Sequence, residues 1–209
     1  MEWDNERLVE DVRNVLIMEP DTSPDYNTSV PVEELLRGKE ENPRLTEDLS
    51  FEMEELFKKR KNGFFVEAGA SNGEADSHTL LFEVRKKVLA YFKTIFFKQA
   101  RHGWTGLLVE PYVNELTFKK RKSFVARTCL GTQQRPHYAQ LDMAGSVKGA
   151  MGGIVKEKTE TSLRFQCIPL YTLLLAIGNP TVNWFILDIE GAEYQVKNKI
   201  KQNVYYWIV

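Results

Sequence analysis

The sequence predicts an α/β fold in which a parallel sheet is covered by helices on both faces. From residue 64 onward, short apolar runs alternate with helical patterns. Those runs are almost continuously apolar, as strands buried on both faces are. Two of them, Phe64 to Glu67 and Val182 to Asp188, end in a carboxylate followed closely by glycine. That is the edge at which open parallel sheets hold ligands.

The bulk numbers suit one such domain. The chain has 209 residues, 43% of them hydrophobic and 27% charged, enough for one sizeable core. A formal charge of -1 gives no reason to expect nucleic acid or an anionic membrane as partner. No apolar run approaches the roughly 20 residues of a membrane span, and the acidic N-terminus carries no signal peptide. Cys129 and Cys167 lie in apolar contexts without a C-x-x-C pattern, which predicts buried free thiols. His78, His102 and His137 are scattered, so no metal site is expected. Asn27-Thr28-Ser29 is a glycosylation sequon, relevant only in a secretory chain.

Leu8, Val12, Val15 and Leu16 recur at helical spacing, predicting an amphipathic helix from Asp4 to Met18. Pro20 to Pro31 has the composition of a linker, and Pro31 opens a short helix through Leu36. Asp48 or Ser50 can cap a helix running to Lys61, with Phe51, Leu56 and Phe57 on its buried face. This helical and linker region, residues 1–50, precedes the α/β domain.

The predicted strands are Phe64 to Glu67, Gly106 to Glu110, Phe124 to Cys129 and Val182 to Asp188. Helices fall at about His78 to Glu83, at Asn114 to Lys122, and from Leu170 behind Pro169. His137 to Leu141 and Leu163 to Cys167 can form an extra antiparallel pair. The basic clusters Lys58 to Lys61 and Lys119 to Lys122 read as solvated helix ends.

Phe64-Phe65-Val66-Glu67-Ala68-Gly69-Ala70-Ser71-Asn72-Gly73 is the most informative stretch. It has the layout of a strand, a tight turn and a helix N-terminus, and glycine lets the backbone approach a ligand closely. In nucleotide-binding folds an acid at the tip of the second strand takes ribose hydroxyls, roughly 20 residues past the glycine turn. Glu110, before Pro111, is that acid but comes late. Residues 84–99 account for the excess: removing them joins Leu81-Phe82-Glu83 to Ala100-Arg101-His102 at normal spacing. Val84-Arg85 can be encoded by a splice-donor sequence, and Phe96 to Gln99 by a pyrimidine tract ending in an acceptor. A retained short intron is the expectation, and a genuine basic amphipathic helix is the alternative. Residues 197–209, rich in Lys and Asn, read as an aberrant tail after a truncated domain. In that reading the strand at Val182 to Asp188 lacks its next neighbour.

Asp188, Glu190 and Glu193 form the second acidic cluster, delivered around Gly191 to the tip of a buried strand. Charge at a helix N-terminus explains Glu190 and Glu193, but not Asp188.

Together these stretches resemble the FkbM-type methyltransferase family. The resemblance rests on Phe64 to Gly73, on Gly103-Trp104-Thr105-Gly106-Leu107-Leu108-Val109-Glu110-Pro111, and on Leu187-Asp188-Ile189-Glu190-Gly191-Ala192-Glu193. It covers residues 51–196, less the insert. It implies a Rossmann-like class I methyltransferase sheet, incomplete at the C-terminus, that binds S-adenosyl-L-methionine. Glu67, Gly69, Ala70, Asn72 and Gly73 would line the methionine end of the cofactor, and Glu110 would hold its ribose. Asp188 would face the sulfonium or an acceptor hydroxyl, with Glu190 and Glu193 beside it. The implied reaction is O-methyl transfer to a hydroxyl. Cys167 to Leu175 and Gly178 to Thr181 look closer still to the animal Star-like branch. Its members are linked to export of epidermal-growth-factor-receptor ligands from the endoplasmic reticulum to the Golgi. The alternative so implied is a non-catalytic factor with a secretory-pathway client protein, in the endoplasmic reticulum, Golgi and endosome system. Taken as it stands, the chain reads as cytoplasmic.

Overall fold

The computed structural model describes residues 2, 4–23, 28, 29, 31, 34, 53, 56, 57, 60–74, 77–83, 103–113, 115–142, 153–155, 157–198, 207 and 208. The expected insert at 84–99, most of the helix after Pro31, and residues 199–206 lie outside these. Among the described residues no helix is long and apolar enough to cross a membrane.

The fold is mixed α/β. In chain order its elements are α1 (Glu6–Leu16), β1 (Ile17–Met18), β2 (Phe64–Ala68), α2 (Leu80–Glu83), β3 (Thr105–Val109), α3 (Glu115–Phe118), β4 (Phe124–Ala126), β5 (Cys129–Leu130), β6 (His137–Asp142), β7 (Gly153–Val155), β8 (Ser162–Ile168), α4 (Leu170–Ala176), β9 (Trp184–Leu187), α5 (Glu193–Lys197) and β10 (Trp207–Ile208). One sheet has the order β1-β4-β3-β2-β9-β10 and a second the order β5-β8-β6-β7. In the first, β4, β3, β2, β9 and β10 pair in parallel, and only β1 is antiparallel.

The parallel strands are apolar throughout because both of their faces are covered. Val66, Ala68, Leu107, Val109, Phe185 and Leu187 pack on one side with residues of α1 and α4. Phe65, Leu108 and Ile186 pack on the other with Phe57, Phe82 and Trp104, whose rings meet edge-on or tilted at 4.9–6.3 Å. Met53 and Phe57 are buried while Leu56 is 53% exposed. Leu56 therefore corrects the expected buried face of the helix before β2, and Phe51 lies outside the described residues.

Helix α1 begins where Asn5 accepts the backbone N–H of Leu8 at 3.2 Å, an N-cap bond that satisfies an otherwise orphan donor. It ends two residues earlier than its periodicity predicts. Ile17 and Met18 turn extended and pair with Ala126 and Val125, because closing the sheet edge buries Ile17. The run from Phe124 to Cys129 likewise divides: Phe124–Ala126 stays in the first sheet and Cys129–Leu130 joins the second. The expected antiparallel pair is present, with His137 opposite Cys167 and Leu141 opposite Leu163.

Three expectations are corrected by long-range contacts. Cys129 and Cys167 are register partners joined in a disulfide, not free thiols. Arg121, read as part of a solvated helix end, has a fully buried side chain paired with Glu83 at 3.0 Å, while Lys122 binds Asp21 at 2.6 Å. The hydrogen bonds of Lys122 and Ser23 hold the Asp21 carboxyl at about 2, far below its usual range. Finally, β9 does have a further neighbour, since Trp207 and Ile208 pair with Phe185 and Ile186.

Candidate active site

The C-terminal ends of β2, β3 and β9 open into one cavity, and the second sheet forms its opposite wall. Its floor comes from Ala68, Gly69, Ser71, Glu110, Tyr112 and Asp188, with Glu190 at the edge. Its wall comes from Leu130, Leu141, Ile154 and Phe165. The cavity has a volume of about 160 Å³.

Gly69 makes this floor possible. It sits at φ +85°, and a Cβ there would lie 1.7 Å from the Asp188 carbonyl oxygen. Its N–H donates to Val109 O at 3.0 Å while Asp188 N–H donates to Ala68 O at 3.0 Å. The glycine turn is thereby locked between the tips of β3 and β9, which only a residue without a side chain allows.

Glu110 follows β3 directly and is 6% exposed. One carboxylate oxygen accepts Ser71 N–H at 3.1 Å and the other accepts Tyr112 N–H at 3.0 Å. A carboxylate offers about four lone-pair sites, so each oxygen keeps acceptor capacity beyond its backbone bond, and Glu110 lines the cavity. Burial raises its pKa to about 7, opposed by those two backbone bonds and assisted by the charge of Glu67. Glu190 adopts φ 56° beside Gly191 at φ 99°. Its carboxyl is also raised, by burial and by the charges of Asp188 and Glu193. Asp188 stands exposed at the tip of β9.

The other sequence-predicted residues do not reach the cavity. Glu67 points to the opposite face of the sheet and is fully buried. It accepts Ser77 Oγ–H at 2.8 Å, Thr79 Oγ1–H at 2.5 Å and His78 N–H at 2.7 Å. Glu67 and Asp188 thus do not share a crevice: Glu67 pairs with Ile186 within the sheet, whereas Asp188 lies beyond Leu187, the last residue of β9. Asn72 caps its own turn by accepting Glu74 N–H at 2.9 Å. Gly73 lies against Phe118, and Ala70 is buried in the core. Glu193 accepts the backbone N–H groups of Ile189 at 2.8 Å and of Gly191 at 2.9 Å. Burial pushes its carboxyl up, but the backbone amides of this turn outweigh burial and hold it below the ordinary value.

Sequence reasoning missed two contributions. Arg121 donates to Glu83 at 3.0 Å, to Ser77 Oγ at 2.9 Å, to Thr79 Oγ1 at 3.1 Å and to the Gly73 carbonyl. These bonds tie the loop carrying Ser71 to the α3–β4 connection, and a helix-end cation gives no local sign of that. The apolar wall was missed as well. Its strands were legible, but nothing local says that they fold over the cavity. Among the described residues lining it, the three charged side chains are all carboxylates and none is cationic.

Searches of curated proteins and of solved structures found no match. The family model described as the methyltransferase FkbM domain matches residues 67–199, well over half of the chain and the whole of the floor just described. The chain therefore belongs to the FkbM methyltransferase domain family.

Proposed function

We propose that this chain is an S-adenosylmethionine-dependent O-methyltransferase domain built on a Rossmann-like class I sheet. The parallel order β4-β3-β2-β9 and the family membership support that reading of the fold. The observation that carries the reading of function is Glu110, a buried, cavity-lining carboxylate whose two oxygens each accept one backbone N–H and keep further acceptor capacity. Two parallel acceptors on one carboxylate suit the vicinal hydroxyls of a ribose.

The donor set fits the cofactor in charge. S-adenosylmethionine carries a net positive charge, and Glu110, Asp188 and Glu190 supply negative charge without a competing cation among the described lining residues. Glu110 would hold the ribose, and Gly69 and Ser71 would lie toward the amino-acid end. The chemistry supplied on binding is a methyl group activated by a sulfonium. Asp188, exposed at the strand tip, would hydrogen-bond the acceptor hydroxyl and accept its proton.

Calorimetric titration with S-adenosylhomocysteine tests this. We expect binding by the wild-type chain and weakening by about 1–3 kcal/mol in Glu110→Ala, the cost of lost charge-assisted hydrogen bonds. Absence of heat with the folded wild type removes the enzyme reading.

A second reading, a non-catalytic secretory-pathway factor with a client protein, is favoured by one observation. The Cys129–Cys167 disulfide belongs to a class of bond that persists in oxidising compartments. Non-reducing mass analysis of the protein taken from cells tests it: two free thiols there would remove this support.

A further inference from the structure

Resting on the methyltransferase reading, we propose that the methyl acceptor is an uncharged hydroxylated hydrophobe whose hydrocarbon body lies along an apolar row on the second sheet. Ile154 on β7 is directly opposite Leu141 on β6, and Leu141 is directly opposite Leu163 on β8. Register partners project from the same face, so the three side chains form one row across three strands. Phe165, two residues along β8 from Leu163, shares that face.

The row runs from inside the cavity to its outside. Leu141 is 8% exposed, Ile154 41% and Leu163 46%, and Leu163 lies beyond the residues that line the cavity. A cofactor held on Glu110 would occupy the cavity of about 160 Å³, so the acceptor would approach at its mouth. The mouth offers apolar surface on one side and the carboxylates of Asp188 and Glu190 on the other. A phosphorylated or carboxylated acceptor meets like charge there with no cation among the described lining residues, and like charge is a means of rejecting wrong ligands. A sugar needs hydrogen-bonding side chains, which Leu141, Ile154 and Phe165 do not supply. A neutral aromatic or aliphatic alcohol gains contact with the row and presents its hydroxyl to Asp188.

The test uses 1-naphthol and 1-naphthyl phosphate as probes, titrated by fluorescence against the full chain saturated with S-adenosylhomocysteine. We expect 1-naphthol to bind at least tenfold more tightly than the phosphate. Leu163→Ser, at an exposed position outside the cavity lining, should weaken 1-naphthol several-fold and leave S-adenosylhomocysteine affinity unchanged. Asp188→Asn with Glu190→Gln should narrow the gap between the two probes. Equal or tighter binding of the phosphate overturns the proposal, as does unchanged naphthol affinity in Leu163→Ser. Concentration-dependent dimerisation abolished by Leu163→Ser also overturns it, since the row would then be an interface between two copies. Loss of S-adenosylhomocysteine binding to the wild type would instead remove the methyltransferase reading, and naphthol binding would still be scored separately.

Discussion

Glu110→Gln should reverse its effect on stability between pH 4 and pH 8. In the wild type the Glu110 pKa is raised from 4.5 to about 7, chiefly by burial. Between these values the folded chain binds more protons than the unfolded one. Stability therefore falls as pH rises through this window. The gap corresponds to about 3 kcal/mol, an order-of-magnitude figure. Glutamine keeps an acceptor for one of the two backbone N–H groups and turns its amide against the other, costing about 1 kcal/mol at every pH. The variant should be about 1 kcal/mol less stable near pH 4 and about 2 kcal/mol more stable near pH 8, the curves crossing between. Urea titrations followed by tryptophan fluorescence at half-unit pH steps give the difference curve. Glu190 contributes a slope of the same sign, but it is common to both proteins and cancels. The lowered carboxyl of Asp21 loses its stabilising contribution only as pH falls below about 4, outside the window. Parallel profiles for the two proteins would refute the buried, cavity-facing placement of Glu110.

Other outcomes follow from the same geometry. S-adenosylhomocysteine affinity should fall as pH is lowered from 8 to 6, because a protonated Glu110 loses an acceptor, and this dependence should vanish in Glu110→Gln. Arg121→Met should cost about 3–5 kcal/mol by leaving Glu83 buried and uncompensated, and adding Glu83→Gln should recover part of it; additive losses in thermal melts would contradict the pairing. Reducing the Cys129–Cys167 bond, which spans 38 residues, should lower stability by about 4 kcal/mol in the chain-entropy picture. An unchanged melting temperature in dithiothreitol would count against it. Gly69→Ala should destabilise by at least about 2 kcal/mol, since φ +85° and a contact of 1.7 Å to backbone leave no room for relaxation by a side chain; a neutral result would argue against the locked turn.

How far the sequence could be read follows from the range of each signal. The run Phe64-Phe65-Val66, the glycine at 69 and the acid at 110 announce themselves locally, because strand burial and turn geometry act over a few residues. Arg121 gives no such sign. Its neighbours Lys119, Lys120 and Lys122 share its charge, yet only Arg121 turns inward, to Glu83, Ser77 and Thr79. Glu67 was legible as a strand-tip acid, but not the face it takes. One residue of register separates the cavity from the core, and pairing with β3 and β9 decides it.

By itself the chain of residues determined the strands, the glycine turn, the placement of Glu110 and Asp188 at strand tips, and the family. Periodicity and side-chain size act along the backbone and need no partner. Only the tertiary structure decided that Cys129 meets Cys167, that Glu67 is spent on its own loop, and that Leu141, Ile154 and Phe165 wall the cavity. Those outcomes depend on contacts between segments far apart in sequence, set by which pairing buries the most apolar surface while leaving no polar group without a partner.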